Sequence, residues 1–176
     1  MIIRHTPDPP PRWRNDPLVL YHGTLFTRYL EIARDGIQVG RGRDGTDLGR
    51  GFYATLDRDQ AMRWATRLAA GRKDKPVVAF AGVSRDDLAS LECLFFVRGD
   101  EGADDFWSFV FHCRRGAKTH ARRGGQRTMY DVVAGPVSRN YHLRSAYENM
   151  DQICFHTGAA EQVLNSVPWS CYDPGT

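Results

Sequence analysis

The chain carries a short apolar run that ends in Tyr21-His22-Gly23-Thr24, and two later stretches share its mix of glycines, aromatic rings and polar side chains. They are Thr46-Asp47-Leu48-Gly49-Arg50-Gly51-Phe52-Tyr53 and Asp151-Gln152-Ile153-Cys154-Phe155-His156-Thr157. Each is predicted to lie on a short strand or at its end, because apolar residues flank it. Glycines at such positions let a ligand approach the backbone closely. Together the three stretches indicate one nucleotide site.

The segments between these stretches predict an α+β domain. Short apolar runs predict strands at 18–21, 51–55, 76–83, 91–97, 130–134 and 152–155. Helical spacing and capping residues predict helices that follow Thr24, Asp57 and Thr157, and another over 104–113. Loops are predicted over 39–50 and 114–127; Gly135-Pro136 is predicted to end its strand, and the tail after Pro168 to be irregular. This uneven alternation favours α+β over a regular βαβ array.

Length and composition bound the class of protein. The 176 residues are 41% hydrophobic and 26% charged, which is typical of one folded domain. We predict a single domain over residues 18–176, preceded by an extended, proline- and arginine-rich arm over 1–17. The arm lacks the apolar stretch of a signal peptide, and no apolar run is long enough to predict a membrane helix. The four cysteines show no C-x-x-C pairing, which predicts free thiols in a reducing, cytoplasmic compartment.

In this order and context, the three stretches resemble the ADP-ribosyltransferase superfamily, whose members break the glycosidic bond of NAD. The signature there is a histidine on a first strand, a tyrosine on a second and a glutamate or glutamine on a late strand, and His22, Tyr53 and Gln152 match it. The resemblance covers nearly the whole chain. It includes residues 130–137, which are similar to a segment of one little-characterised bacterial group. It implies a split, curved sheet with NAD in the cleft between the halves.

The resemblance also implies a role for each residue. His22 would hydrogen-bond the adenosine ribose, while Gly23 and Thr24 would hold the nicotinamide amide through their backbone. Tyr53 would stack on the cationic nicotinamide ring. Gln152 would accept a hydrogen bond from a ribose hydroxyl, where superfamily transferases commonly carry glutamate. A neutral amide gives up part of the electrostatic stabilisation of the positive sugar, so Gln152→Glu is expected to keep or raise NAD cleavage.

The turn before Tyr53 supplies further candidate residues. Gly49 and Gly51 would bring the backbone near a ligand, and Asp47 would cap the turn with its own side chain. Asp47 matches the aspartate of the superfamily motif Asp-Phe-Gly-x-Gly-Phe-Tyr, in which leucine here replaces the first phenylalanine. A purely structural interpretation stays open for each stretch. His22 would then be a satisfied histidine at a strand end, the glycines a plain turn, and Gln152 a surface residue.

The resemblance implies an enzyme that transfers ADP-ribose from NAD to a macromolecule and releases nicotinamide, with NAD as substrate and no metal. Small bacterial proteins of this kind are often toxins or effectors, some with an antitoxin or immunity partner. They act in the cytoplasm or after delivery into another cell without a classical signal peptide. Two other classes stay open: an NAD glycohydrolase, and an inactive module that binds NAD or another nucleotide. The acceptor is a protein or a nucleic acid.

A basic segment over residues 114–127 is the sharpest charge run in the chain. Its cations are Arg114, Arg115, Lys118, Arg122, Arg123 and Arg127. One interpretation is a solvated loop. The other is a surface that contacts an anionic partner and leaves NAD alone. The sequence carries no H-E-x-x-H or other paired ligand spacing, so no metal site is predicted.

Overall fold

The fold is described from a computed structural model over residues 15–97, 99, 103–121 and 127–173. Within those residues the strands are β1 Leu18–Leu25, β2 Phe52–Ala54, β3 Pro76–Val83, β4 Cys93–Phe95, β5 His120–Ala121, β6 Arg127–Thr128, β7 Val132–Asn140, β8 Ser145–Phe155 and β9 Ser170–Tyr172. The helices are α1 Phe26–Asp35, α2 Arg58–Ala69, α3 Arg85–Ala89, α4 Asp104–Arg114 and α5 Gly158–Asn165. The predicted α+β class is confirmed. Residues 1–14 of the predicted arm lie outside the described residues.

Two sheets form the framework of the fold. The first has the order β1-β3-β9 and the second β2-β8-β7-β4, and β5 and β6 form a separate two-stranded hairpin. All pairings are antiparallel except that of β4 with β7. An isolated bridge between Tyr21 and Thr55 joins β1 to the end of β2. The two sheets therefore meet where the first two motif stretches lie.

The main core fills the space between the two sheets. Its buried side chains come from β1, β2, β3, β7, β8 and α5, and include Leu20, Phe52, Val83, Val132, Phe155 and Leu164. A second cluster lies on the opposite face of the β2-β8-β7-β4 sheet, where α4 packs through Phe109 and Cys113 against Leu48, Val133 and Cys154. Along β2 and β8 alternate residues face opposite sides, so the two clusters share these strands.

Locally encoded elements match the predictions. Strand 76–83 is confirmed residue for residue, and α4 confirms the helix predicted over 104–113. The Asp57 carboxylate caps α2 by accepting from the backbone N–H groups of Asp59 and Gln60. The Thr157 hydroxyl caps α5 by accepting from the N–H of Ala160. These predictions are confirmed because a capping side chain bonds only to backbone N–H groups in the first turn of its own helix.

Two predictions about the first strand are wrong. The strand does not end at Tyr21 or at His22, since β1 runs to Leu25 and pairs with β3 over its whole length. Thr24 does not cap α1, because it lies inside β1; Leu25 stands at the N-cap and gives no side-chain bond. The continuous β3 partner extends the strand past Gly23.

Two further predictions fail on β7 and at the end of the chain. Gly135-Pro136 does not end the strand, because β7 continues to Asn140, with Gly135 opposite Gln152 and Pro136 opposite Asp151. The other neighbour, β4, pairs only as far as Ala134, so Pro136 lies where β7 has a single strand partner and its missing N–H is tolerated. The tail is not fully irregular, since β9 adds to β3.

Gly23 is needed for packing of α2. A Cβ at this position would lie 1.9 Å from the Ala61 carbonyl oxygen, on the backbone of α2. We expect Gly23→Ala to lower the free energy of unfolding by about 3 kcal/mol, because helix and strand must separate. The denaturant midpoint measures this loss. Gly40→Ala is the control, since no atom lies within 4 Å of its added Cβ. Equal midpoints for the two variants would contradict the packing described.

No helix in the described part of the chain is both long and apolar enough to cross a membrane.

Candidate functional site

The three motif stretches lie on adjacent strands. Tyr21 and Thr55 exchange backbone hydrogen bonds of 2.8 and 2.9 Å, which places β1 beside the end of β2. Strand β2 in turn pairs with the end of β8, with Tyr53 opposite Cys154. Stretches separated by about 130 positions in the sequence thus meet at the junction of the two sheets.

His22 faces the main core from β1 and is half-buried. Its Nδ1 lies 2.6 Å from the backbone carbonyl oxygen of Tyr53. A carbonyl oxygen only accepts, so Nδ1 carries the proton and the neutral ring keeps Nε2 as an acceptor. Burial lowers the pKa of His22, and the bond to Tyr53 opposes that shift. His22 is therefore a neutral ring that fixes the backbone of Tyr53.

The Tyr53 ring packs against the cluster beneath α4, on the sheet face opposite to His22. Its hydroxyl oxygen lies 2.8 Å from both Thr46 Oγ1 and the Gly49 carbonyl oxygen, and it accepts from the N–H of Leu48 at 3.0 Å. Burial raises the pKa of this phenol well above its usual range, so it stays protonated. Tyr53 therefore holds the loop over residues 46–49 in place.

Asp47 in this loop is a hub of hydrogen bonds and is only 5% exposed. Its Oδ1 accepts from Arg114 Nε at 2.8 Å and lies 2.6 Å from a terminal guanidinium nitrogen of Arg114. Its Oδ2 accepts from the backbone N–H of Ser138 at 3.0 Å and from Gln152 Nε2 at 3.1 Å. The sequence predicted that Asp47 caps its own turn; its side chain instead reaches α4, β7 and β8.

Gln152 is 9% exposed, and its amide has one defined orientation. Nε2 donates to Asp47 Oδ2 at 3.1 Å and to the Pro136 carbonyl oxygen at 3.0 Å. Both partners only accept, so the atom between them must be the NH₂ group. Its Oε1 makes no hydrogen bond to any described residue. The predicted position at a strand start is wrong, since Gln152 lies well inside β8, and Asp151 faces the opposite side as predicted.

The backbone at Gly49 and Gly51 packs closely against other residues of the protein, and not against an open ligand site. A Cβ at Gly51 would lie 2.3 Å from the Phe155 carbonyl oxygen and 2.6 Å from Cys154 Sγ. Gly49 adopts φ +93°, which favours glycine, and packs over Cys113. The two glycines seat the loop against β8 and α4, which is the structural alternative that the sequence left open.

A cavity of about 830 Å³ opens between the two sheets, beside this junction. Its wall is mainly apolar, with Leu20 from β1, Leu88 from α3, and Ala134 and Ile153 from β7 and β8. The residues that line it also include Gln152 and the polar residues Asp57, Gln60, Arg85, Asn149 and Asp151. The Gln152 side chain shares the sheet face of Cys154, opposite to that of Asp151. His22 and Tyr53 are not among the described residues that line it. Hydrogen bonds connect them to Gln152 through the loop over residues 46–49, which includes Asp47.

Residues 18–147 match the model of a family described as protein of unknown function, DUF3990. The chain belongs to the DUF3990 family. The match includes His22, Asp47 and Tyr53 and ends before Gln152, so the third stretch lies beyond it. Comparison with curated proteins finds no match.

The segment over 114–127 is only partly a loop in this DUF3990 protein, because α4 includes Arg114 and because β5 and β6 pair as a hairpin. Arg114 is bonded to Asp47, and Lys118 Nζ lies 2.7 Å from Asp44 Oδ2. Residues 122–126, which include Arg122 and Arg123, lie outside the described residues. The predicted contact of this segment with a partner stays a prediction.

The cysteines of this DUF3990 protein are free thiols; Cys113 and Cys154 are buried, and Cys93 and Cys171 are half-buried. Burial raises the pKa of Cys113 to about 12 and that of Cys154 well above its usual range. Neither buried thiol is therefore a thiolate nucleophile near neutral pH. Among the described residues, no group of three or more His, Cys, Asp or Glu side chains is placed to hold a metal ion.

Sequence reasoning missed His156, although it belongs to the third stretch. Its Nδ1 lies 2.8 Å from the Arg50 carbonyl oxygen, so it ties the loop before β2 to the end of β8. Burial lowers the pKa of His156. Sequence reasoning also missed Arg114 as a partner of Asp47, because no local pattern relates positions so far apart. For His156, its place within the third stretch was the signal that could have indicated it.

Acidification is expected to destabilise the fold through His22 and His156. Burial keeps the pKa of both rings below the ordinary value of about 6.5. The unfolded chain therefore binds protons first, so this contribution to stability is complete above about pH 7 and falls as the pH drops below that value. Thermal midpoints between pH 7.5 and 5 measure the decline. We expect a shallower decline for His22→Asn than for His142→Gln, which alters an exposed ring; a flat parent profile would contradict this expectation.

Proposed function

We propose that this protein transfers ADP-ribose from NAD to a macromolecular acceptor and releases nicotinamide. One observation carries the proposal. The three stretches that resemble the superfamily signature meet at one junction and are joined by a chain of hydrogen bonds and short covalent segments. That chain runs from the His22 ring to the Tyr53 carbonyl, from the Tyr53 hydroxyl to the loop over 46–49, and from Asp47 to the amide of Gln152. It ends at Gln152, which is among the residues that line the cavity between the sheets.

The cavity suits a ligand of the required kind. Its volume of about 830 Å³ lies within the range of about 300–1,000 Å³ of small-molecule sites, and its mainly apolar wall also carries polar residues. We place the NAD ribose that bears nicotinamide against Gln152 there. We propose that the two sheets with the cavity between them are the split sheet that the resemblance implies. Direct contacts of His22, Gly23, Thr24 and Tyr53 with NAD are further expectations from the resemblance.

Gln152 supplies an oriented acceptor to the reaction. When the bond between C1′ and the nicotinamide nitrogen breaks, the electron pair leaves with nicotinamide and positive charge develops on the ribose. A ribose hydroxyl that donates to Oε1 becomes a stronger donor as this charge grows, so the bond strengthens in the transition state. The acceptor then attacks C1′ and gives up its proton. The neutral amide stabilises the positive charge on the ribose less than a carboxylate would, but two hydrogen bonds from Nε2 already fix its orientation.

The setting of the proposed reaction follows the resemblance. The acceptor is a protein or a nucleic acid in the cytoplasm, either of the producing cell or of a cell into which the protein is delivered. A toxin or effector role, with an antitoxin or immunity partner, is part of the same proposal. The role proposed for Gln152 uses its hydrogen bonds to Asp47 and Pro136 and involves no metal.

A second function has a specific observation in its favour. Gln152 carries no charge, and its amide donates to a carboxylate, so the site is built around an amide where superfamily transferases commonly place a carboxylate. This arrangement also suits a module that binds NAD without cleaving it. An NAD glycohydrolase would use the same cavity with water in place of the acceptor.

Incubation of the purified protein with NAD separates these functions. We expect nicotinamide release that depends on added protein or nucleic acid, with ADP-ribose attached to that acceptor. Release without an acceptor would indicate a glycohydrolase. Calorimetric binding of NAD with no release under either condition would indicate a binding module. Absence of both binding and release would refute the proposed use of NAD.

A further inference from the structure

We infer that Arg114 is a positioning residue for Gln152, acting through Asp47. This inference rests on the proposed function for its catalytic consequence, while the geometry that carries it stands independently. Arg114 lies at the end of α4, outside all three motif stretches, and no feature of the family match assigns it a role. Two of its nitrogens lie 2.8 and 2.6 Å from the same oxygen, Asp47 Oδ1.

The inference depends on the fact that the two carboxylate oxygens of Asp47 have different hydrogen-bond partners. Arg114 occupies Oδ1, so Oδ2 is left to accept from Ser138 N–H and from Gln152 Nε2. The carboxylate is planar, so fixing one oxygen also fixes the direction of the other. The Gln152 NH₂ group is thereby held between Asp47 and the Pro136 carbonyl, and Oε1 must point away from both. Arg114 thus determines which end of the amide a ligand meets.

Arg114 is itself held on several sides. Nη1 donates to the Gly45 carbonyl oxygen at 3.1 Å, which ties it to the loop before Asp47. Its guanidinium carbon lies 5.1 Å from the centre of the Tyr141 ring, within the range of a cation–π contact. A lysine at this position would keep the charge but not the planar set of donors that reaches both Asp47 and Gly45. The arrangement therefore requires an arginine rather than any cation.

The inference predicts a change at Gln152 that a merely structural ion pair would not cause. In protein labelled with ¹⁵N-glutamine, the Gln152 side-chain NH₂ signals are identified by their loss in Gln152→Ala. We expect Arg114→Gln to shift these signals and to speed their proton exchange about tenfold, because their acceptor is no longer fixed. Arg115→Gln is the matched control, since it removes an exposed arginine one residue away. It should leave the signals unchanged.

Kinetics supply the second readout. We expect Arg114→Gln to lower kcat for nicotinamide release by roughly a hundredfold, the scale that a misplacement of about 1 Å produces, with KM changed less than about threefold. Arg114→Lys should lie between this variant and the parent. If Arg114→Gln does not fold, Arg114→Lys carries both measurements.

The outcomes are distinguishable. Unchanged Gln152 NH₂ signals in a folded Arg114 variant would overturn the inference, whatever the kinetics show. Shifted signals together with unchanged kcat in an active protein would also overturn it, because the amide position would not matter to the reaction. If the parent neither binds nor cleaves NAD, the proposed function fails, and the NMR comparison alone decides whether Arg114 positions Gln152.

Discussion

Gln152→Ala is expected to lower the rate of nicotinamide release at saturating NAD by about 10²- to 10³-fold, the usual loss when one preorganised hydrogen-bonding group is removed from a transition state. The lost bond is the one that Oε1 would accept from the ribose, which is worth most when the sugar carries positive charge. NAD affinity should change little, because the apolar cavity wall remains. The rate and the affinity are measured separately, by nicotinamide release and by calorimetry.

Gln162→Ala is the matched control for this variant, since it removes an exposed glutamine on α5. A folded Gln152→Ala protein with the activity of the parent would show that Gln152 is not the third site residue. Asp151 would then be the next residue to test, because it also lines the cavity. Asp131 is less suitable, since its Oδ2 accepts from the N–H of Glu92 at 2.8 Å and its Oδ1 from the Thr157 hydroxyl.

Gln152→Glu is expected to lower the free energy of unfolding by about 3 kcal/mol, a loss on the scale of an uncompensated buried charge. The new carboxylate would replace an NH₂ group that lies 3.1 Å from Asp47 Oδ2 and 3.0 Å from the Pro136 carbonyl oxygen. Two donor bonds would be lost and two like charges would face each other. The expectation from sequence that glutamate keeps or raises NAD cleavage stays a prediction, to be measured on the fraction of the variant that folds.

A double-mutant cycle isolates this contact. Adding Asp47→Asn to Gln152→Glu removes one of the two charges and lets an amide face the new carboxylate, so the pair should recover part of the lost stability. Asp47→Asn alone should be destabilising, because the bond to Gln152 loses its charge and the ion pair with Arg114 is broken. Additive losses of stability in the double variant would contradict the contact between Asp47 and Gln152.

Local signals in the sequence predicted the helices well. Asp57 and Thr157 cap the helices that they precede, and such caps depend only on residues two or three positions away. The run of valines and alanines over 76–83 predicted β3 exactly, because a strand buried in the middle of a sheet needs a continuous apolar sequence. The order of the motif stretches also predicted that they would meet.

Features that depend on distant partners could not be predicted. Gly23 resembles a turn residue, yet the helix that packs on it begins 35 positions later, at Arg58. Gly135-Pro136 resembles a strand end, yet β8 continues beside it and β4 does not. The role of Asp47 depends on Arg114, Ser138 and Gln152, which lie 67, 91 and 105 positions away. No local pattern encodes contacts of that kind.

Calorimetric titration of NAD into the parent protein and into Ala134→Phe tests the central claim most directly, namely that NAD binds in the cavity against Gln152. Ala134 lines the cavity on β7, and a phenylalanine there would fill part of it while the wide space avoids a clash with the core. We predict that the parent binds NAD and that Ala134→Phe, with a thermal midpoint close to that of the parent, binds at least tenfold more weakly. Equal NAD affinity of the two folded proteins, or no binding by the parent, would contradict the account.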